Sequence, residues 1–345
     1  MTMSRHPKTS QAGLTLIELM IAMTLGLFLL LGLANVFLAQ RQSFRVNENL
    51  SQMQNNTRVA FELMAREIRE AGGNPCGTTQ VANVVNGAST SSWLNWDTGG
   101  IRGYDDNDVL PDKAFGTTTG ARVAGTDAVT IRTGSLNNNI VITAHDPASA
   151  EFTVNTTTHG IVSGDVLMVC DYKQAAIFQV TNAVSGTSAV IEHDTSTSAP
   201  GNCSEGLGFP TDCASVTGNQ YDFSNNAFLT KFRSTAWYIG YNDQGGRSLF
   251  RIVNGAKDSP EEIARGVTGM QLQYLTRTGK NPAASYADAD ASAIASWNNP
   301  PAATQVVAVR VILDLESRDA VGSDAATLKR TMMHVVSLRH REIVE

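Results

Sequence analysis

Glu18 is the side chain most in need of a chemical explanation. It stands in the stretch Gly13-Leu14-Thr15-Leu16-Ile17-Glu18-Leu19-Met20, at the front of an apolar run that continues to Ala39. A carboxylate among hydrocarbon has no water to solvate it, so such a residue marks a functional site and calls for a partner. Other residue types point to less. Asp105, Asp106, Asn107 and Asp108 suggest a calcium loop, yet the spacing lacks the glycine at position six and the acid at twelve, so they read as a solvated acidic turn. The histidines His6, His145, His159, His193, His334 and His340 are scattered without metal-ligand spacing, and His334 lies in a strand pattern where a structural role is expected. Trp93, Trp96, Trp237 and Trp297 could line a sugar or surface groove, or pack in the core and its rim. No nucleophile elbow, phosphate-cradling glycine loop or dinucleotide fingerprint occurs, so neither catalysis nor a cofactor or metal is expected.

The four cysteines, Cys76, Cys170, Cys203 and Cys213, contain no C-x-x-C pair. In an exported chain they allow two disulfides in three connectivities, with Cys203–Cys213 as a short staple and Cys76–Cys170 as the remaining pair; four reduced thiols are the alternative. The formal net charge is −6, and Arg5 and Lys8 precede the apolar run, so the rest of the chain carries 24 basic against 32 acidic side chains. Phosphate contacts require a basic stripe, and none is visible there, so direct nucleic-acid binding is not expected.

Leu19 to Ala39 is a run of 21 residues without a formal charge, enough for a helix to cross a bilayer. The basic residues ahead of it place the short N-terminus in the cytoplasm and the long remainder outside. A secretory signal peptide would have a shorter apolar stretch and a small-x-small cleavage site. Beyond the span, Leu50, Met53, Thr57, Phe61, Met64, Ile68 and Ala71 recur at three and four residues as one helical stripe. Arg58, Glu62, Arg66 and Glu70 form a second, solvated face of alternating charge. Gly72, Gly73 and Pro75 stop the helix. Started near Leu14, it has 58 residues and a length on the order of 85 Å, so half of it must be buried in lipid, a coiled coil or a filament.

After Pro75 the composition turns to Gly, Thr, Ser and Asn with short β-branched runs. Strands are expected at Asp127 to Arg132, Asn139 to Ala144, Asp165 to Cys170, Ala175 to Thr181, Ala236 to Tyr241, Ser248 to Val253, Val267 to Leu275, Gln305 to Leu315 and Arg330 to Arg339. Asn242 to Gly246 reads as a hairpin turn. Val307, Val309, Val311 and Leu313 share one face of their strand, which packs on a core. The Ser/Thr/Gly-rich stretch Asn182 to Asp212 and the Ala/Ser/Asp-rich stretch Pro282 to Thr304 read as surface insertions.

The glycine and the glutamate five residues beyond it, with the basic leader, apolar run and amphipathic continuation, resemble the class III signal of type IV prepilins. Along the body, Gly103-Tyr104-Asp105, Gly125-Thr126-Asp127, Gly164-Asp165-Val166-Leu167, Ile177-Phe178-Gln179-Val180-Thr181, Trp237-Tyr238-Ile239, Leu249-Phe250-Arg251 and Val306 to Leu315 resemble the PilW family of minor pilins. The resemblance implies an α+β, type IV pilin-like fold. Residues 1–13 would be a leader peptide, 14–39 the transmembrane half of the first helix, 40–74 its amphipathic half, and 75–345 a β-rich periplasmic or extracellular domain. It also implies cleavage by a prepilin peptidase between Gly13 and Leu14, N-methylation of Leu14, and an assembly role for Glu18. After that cut Glu18 lies in the first helical turn, where the macrodipole favours an anion, within reach of an amine of its own chain or a neighbour's. Two positions depart from the pattern: Leu14 replaces the usual phenylalanine, and Asn35 stands where many major pilins have proline.

The function implied is that of a minor pilin which helps initiate assembly in a tip or priming complex, supporting twitching motility, adhesion and DNA uptake. Its partners would be the prepilin peptidase, other minor pilins, the major pilin and the inner-membrane assembly platform. Its location would be the inner membrane as a single-pass protein, then the pilus surface, in a Gram-negative type of bacterium. The alternatives are a type II secretion pseudopilin and a membrane-tethered β-rich binding protein.

Overall fold

The computed structural model describes residues 13, 15–134, 140–195, 199–223, 226–278, 285–289, 294, 297, 304–322 and 326–341. Leu14 and the basic leader residues lie outside them. One long helix, α1 (Leu16–Glu70, 55 residues), is followed by a β-rich body, the α+β, pilin-like architecture that was expected. The helix ends where glycine can take a left-handed conformation: Gly72 has φ +73°, and Gly73 N–H closes back on Glu70 O at 3.0 Å.

The strands are β1 (Val81–Asn83), β2 (Ile101–Tyr104), β3 (Ala128–Gly134), β4 (Ile140–Asp146), β5 (Glu151–Val154), β6 (Val166–Cys170), β7 (Ala175–Gln179), β8 (Asn182–Ala183), β9 (Val190–Glu192), β10 (Phe228–Tyr241), β11 (Arg247–Val253) and β12 (Glu261–Arg265), all in one sheet. A second sheet holds β13 (Val267–Thr278), β14 (Ser285–Ala287), β15 (Thr304–Glu316) and β16 (Lys329–Ser337), in the order β14-β13-β15-β16. Strand β10 organises the large sheet. Its first residues pair with β4 and β6, whereas Phe232 to Tyr238 pair with β3 and Thr235 to Tyr241 with β11. The turn between β10 and β11 is the expected one: the Asn242 side chain accepts from the N–H groups of Gln244 and Gly246, and Gly245 has φ +76°.

The chain divides into two compact units, Met1–Gln52 with Ser317–Leu328, and Met53–Glu316 with Lys329–Glu345. In the first, Gln42 donates to Val321 O at 2.7 Å, and Asn49 exchanges hydrogen bonds with Asp319. In the second, Met53, Thr57, Met64, Ile68 and Ala71 are buried, joined by Ala60 and Ala65. Phe61 stacks on His334 of β16 with ring centroids 4.0 Å apart, so His334 has the structural role expected of it. Val309, Val311 and Leu313 point inward from β15, and Val307 is part-buried. Side chains of one face of β16 alternate outward, leaving Met333 and Val335 exposed.

Two expectations need correction. Strand β10 begins at Phe228, eight residues before the expected start, because alternating Lys231 and Arg233 mask an otherwise regular strand period. Asn182 to Asp212 is not purely a surface insertion: β8 and β9 run through it, and Ile191, His193, Asn202 and Leu207 are fully or almost fully buried. Single apolar residues in polar surroundings carry no periodic signal, so composition hides them. Pro282 to Thr304 falls mostly outside the described residues, and its Ser285–Ala287 segment pairs with β13 as a strand.

Candidate functional site

The start of α1 is built by a reciprocal pair of side chains. Glu18 N–H donates to Thr15 Oγ1 at 3.3 Å, and the Glu18 carboxylate accepts from Thr15 N–H at 3.1 Å and from Thr15 Oγ1 at 2.9 Å. This is a capping box, in which N-cap threonine and glutamate three residues on satisfy N–H groups that the helix itself leaves open. Thr15 is the residue that reasoning on charge alone overlooked, although T-x-x-E ahead of an apolar run is its sequence signal. The box gives the carboxylate partners within its own chain. It also fixes that carboxylate at the positive end of the helix, four residues along the chain from Leu14.

From Leu19 to Ala39 the helix carries apolar side chains that a soluble fold would bury. Leu27, Phe28, Leu29 and Leu30 are each more than half exposed, and the most apolar window of the helix has no part buried inside the protein. Thr24 folds its hydroxyl back onto Ile21 O at 2.9 Å, hiding the polar group on the helix surface. By length and composition this helix can cross a membrane.

The other end of α1 is held by Glu67, which sequence reasoning did not single out. Its side chain is 13% exposed. It accepts from Thr235 Oγ1 at 2.8 Å and Trp237 Nε1 at 2.6 Å, and it pairs with Arg233 at 3.2 Å and Arg251 at 2.9 Å. The period of two along β10 places residues 233, 235 and 237 on one face, and pairing of β10 with β11 sets Arg251 opposite Trp237. Arg251 is further held by Glu261 at 2.6 Å and lies over the Trp237 ring at 5.6 Å. One carboxylate on the helix thus gathers four donors from two strands. The solvated face behaves differently: Arg58–Glu62 and Arg66–Glu70 form i,i+4 pairs in water.

The cysteines pair as Cys76–Cys170, with Cα atoms 5.9 Å apart, and Cys203–Cys213, at 5.2 Å. The first ties the segment leaving α1 to the end of β6. The acidic turn already holds a cation of its own, since Arg122 donates to Asp108 O at 2.6 Å, Asp105 O at 3.0 Å and Thr126 O at 2.5 Å. Among the described residues no three His, Cys, Asp or Glu side chains gather as a metal site.

Of the histidines, His6 lies outside the described residues, and His159 bonds Ser188 O at 3.2 Å. His145 and His193 meet in the interior with their Nε2 atoms 3.3 Å apart, among Phe152, Phe178 and Phe223. Phe223 N–H donates to His145 Nδ1 at 3.1 Å. His145 therefore carries its proton on Nε2 and donates to His193. A metal bridging the two Nε2 atoms would need the opposite tautomer, which sets a His145 Nδ1–H against the Phe223 N–H. Burial pushes His145 down to about 4 and His193 to about 3.

The tryptophans do not gather into a groove. Trp96 and Trp237 are buried, Trp93 packs against the core near Phe232, and Trp297 meets the Tyr274 ring edge-on at 5.0 Å.

Comparison with known proteins assigns both ends of this architecture. The prokaryotic N-terminal methylation motif matches residues 8–34, spanning Gly13, the capping box and the apolar half of α1. The family of type IV pilus-assembly protein W matches residues 236–337, from Trp237 in β10 through Arg251 to His334 in β16, the strands that grip the helix. No curated protein and no solved structure matches the chain. With one match on the helix and the other on the strands that hold it, the chain is similar to type IV pilins at the start of its helix and to type IV pilus-assembly protein W in its C-terminal sheets.

Proposed function

We propose that the chain is a minor pilin that helps initiate assembly of the type IV pilus in a tip or priming complex, and so serves twitching motility, attachment and DNA uptake. A prepilin peptidase cuts between Gly13 and Leu14, and the new amine of Leu14 is methylated. The observation that carries this reading is the capped Glu18 at the head of a helix whose apolar half finds no cover among the described residues. After the cut, Thr15 and Glu18 lie beside the new N-terminus, so the carboxylate can exchange its bonds to Thr15 for an amine, its own or that of a neighbouring subunit. An apolar helix leaving lipid for a filament core would strand an unpaired Glu18, so only a register that supplies the amine is stable. The two disulfides fit a body exported across the inner membrane into an oxidising compartment. The other minor pilins, the major pilin and the inner-membrane assembly platform are the partners this role requires.

Mass spectrometry of the mature protein is the first test. A methylated chain starting at Leu14 is the expected result, and a mature chain that retains residues 1–13 refutes the processing step. Thr15→Ala and Glu18→Ala then separate two roles, because both break the capping box but only the second removes the carboxylate. Normal membrane insertion with pili retained in Thr15→Ala and lost in Glu18→Ala is expected. Equal loss in both variants would reduce Glu18 to a helix cap.

A further inference from the structure

A cleft of ≈ 260 Å³ opens beside β2 and β3, with Ser91, Ser92, Asn95, Arg102, Tyr104 and Arg132 in its wall. Its two cations are unusual in how little they are neutralised. Arg132 is 1% exposed, and its guanidinium donates to two backbone carbonyls, Gly99 O at 2.9 Å and Ser92 O, leaving Nε without a partner. Burial lowers it only to about 10, so it is charged at neutral pH. Arg102 lies over the Tyr104 ring at 5.4 Å, and its own buried Nε is also unpartnered. Among the described residues neither arginine forms an ion pair. The nearby Asp112 accepts from the Ser92 hydroxyl, and Asp108 is the one carboxylate in the wall.

We propose that this cleft binds a small hydroxylated carboxylate, such as a terminal uronic acid of a surface polysaccharide. A guanidinium fork matches a carboxylate with two parallel hydrogen bonds. The Ser91 hydroxyl can donate and accept, the Ser92 oxygen keeps lone pairs beyond its bond to Asp112, and the Asn95 amide, which bonds Ser89 O and Thr98 N–H, keeps a second N–H, so the wall offers a few hydrogen bonds to sugar hydroxyls. The volume lies just below the roughly 300–1,000 Å³ of drug-sized pockets and admits one sugar ring rather than an extended chain. Arg132 anchors the wall through its carbonyl bonds, and Arg102, on the short strand β2, is the contact that engages the carboxylate.

Isothermal titration of the full chain in detergent micelles with glucuronate, glucose, acetate and inorganic phosphate tests this. Saturable glucuronate binding is expected, tighter than that of each of the other three by about tenfold or more, with Arg102→Gln weakening glucuronate by a similar factor. Arg102→Lys, which keeps the charge but loses the fork, should fall between. No saturable glucuronate binding, equal binding of phosphate or acetate, or an unchanged affinity in Arg102→Gln overturns the proposal. If near-ultraviolet circular dichroism shows Arg102→Gln to be misfolded, the ranking of the four probes on the unaltered protein decides.

Discussion

Replacing Glu67 with alanine removes an acceptor that four donors share, and the structure allows the cost to be worked out. Trp237 Nε1 loses its partner inside a fully buried ring, and Thr235, 2% exposed, loses the acceptor for its hydroxyl. Each orphaned donor costs about 1–3 kcal/mol. Arg251 keeps Glu261, and Arg233 is 42% exposed and can turn to water, so the two cations add little more. The expected loss is about 3–5 kcal/mol, within the range for breaking a buried ion pair by removing one partner. Glu67→Gln retains a neutral acceptor for the indole and should cost about 1–2 kcal/mol. Urea unfolding of the full chain in micelles, followed by tryptophan fluorescence to which the buried Trp237 contributes beside Trp93, Trp96 and Trp297, measures this loss. A Glu67→Ala cost below about 1 kcal/mol, or equal costs for alanine and glutamine, would refute the view that this carboxylate docks the helix.

Three further outcomes are expected. The buried His145–His193 pair resists protonation, so as pH falls below about 6.5 the unfolded chain takes up protons that the folded one refuses. Stability should therefore drop by about 2–4 kcal/mol between pH 7 and pH 5, and urea melts of a His145→Leu, His193→Leu double variant should show a flatter pH slope. Asp127 behaves in the opposite sense: burial pushes it up to about 7, so stability is lost as pH rises from about 4 through 7. Its carboxylate accepts from Leu272 N–H at 2.6 Å, a bond that asparagine keeps, and Asp127→Asn should gain about 1–3 kcal/mol at pH 8 with the gain vanishing below pH 4. Removing the Cys76–Cys170 bond, which spans 94 residues, should cost about 4.7 kcal/mol, against about 2.7 for the 10-residue Cys203–Cys213 loop. Thermal unfolding of the paired Cys→Ser variants checks that order.

The helix was legible because its signals are local and repeated: a stripe at three and four residues, a solvated charged face, and glycine at the stop. The Asn242–Gly246 turn was legible for the same reason. Glu67 was not, since on the helix it sits among alternating charges, whereas its partners stand 166 to 184 residues away. No local pattern encodes such a meeting. The start of β10 and the core positions Ile191 and Leu207 were hidden by polar neighbours. Thr15 was within reach of the sequence, and the T-x-x-E spacing reports a helix start whatever else Glu18 does.

The bond between Cys76 and Cys170 has a mechanical meaning. In the proposed filament, tension would load each subunit along its long helix, and that pull would reach the body through the Glu67 contacts and buried stripe of the helix and through the few residues after Glu70. Two backbone hydrogen bonds join this segment to β3, Gly72 N–H to Arg132 O and Gly134 N–H to Gly73 O, and bonds of that kind can be sheared one after another. A covalent link six residues past the end of α1, anchored at the end of a fully buried strand, lets the load bypass them. The body can then be dragged as one piece where a stapled junction replaces an unzippable one.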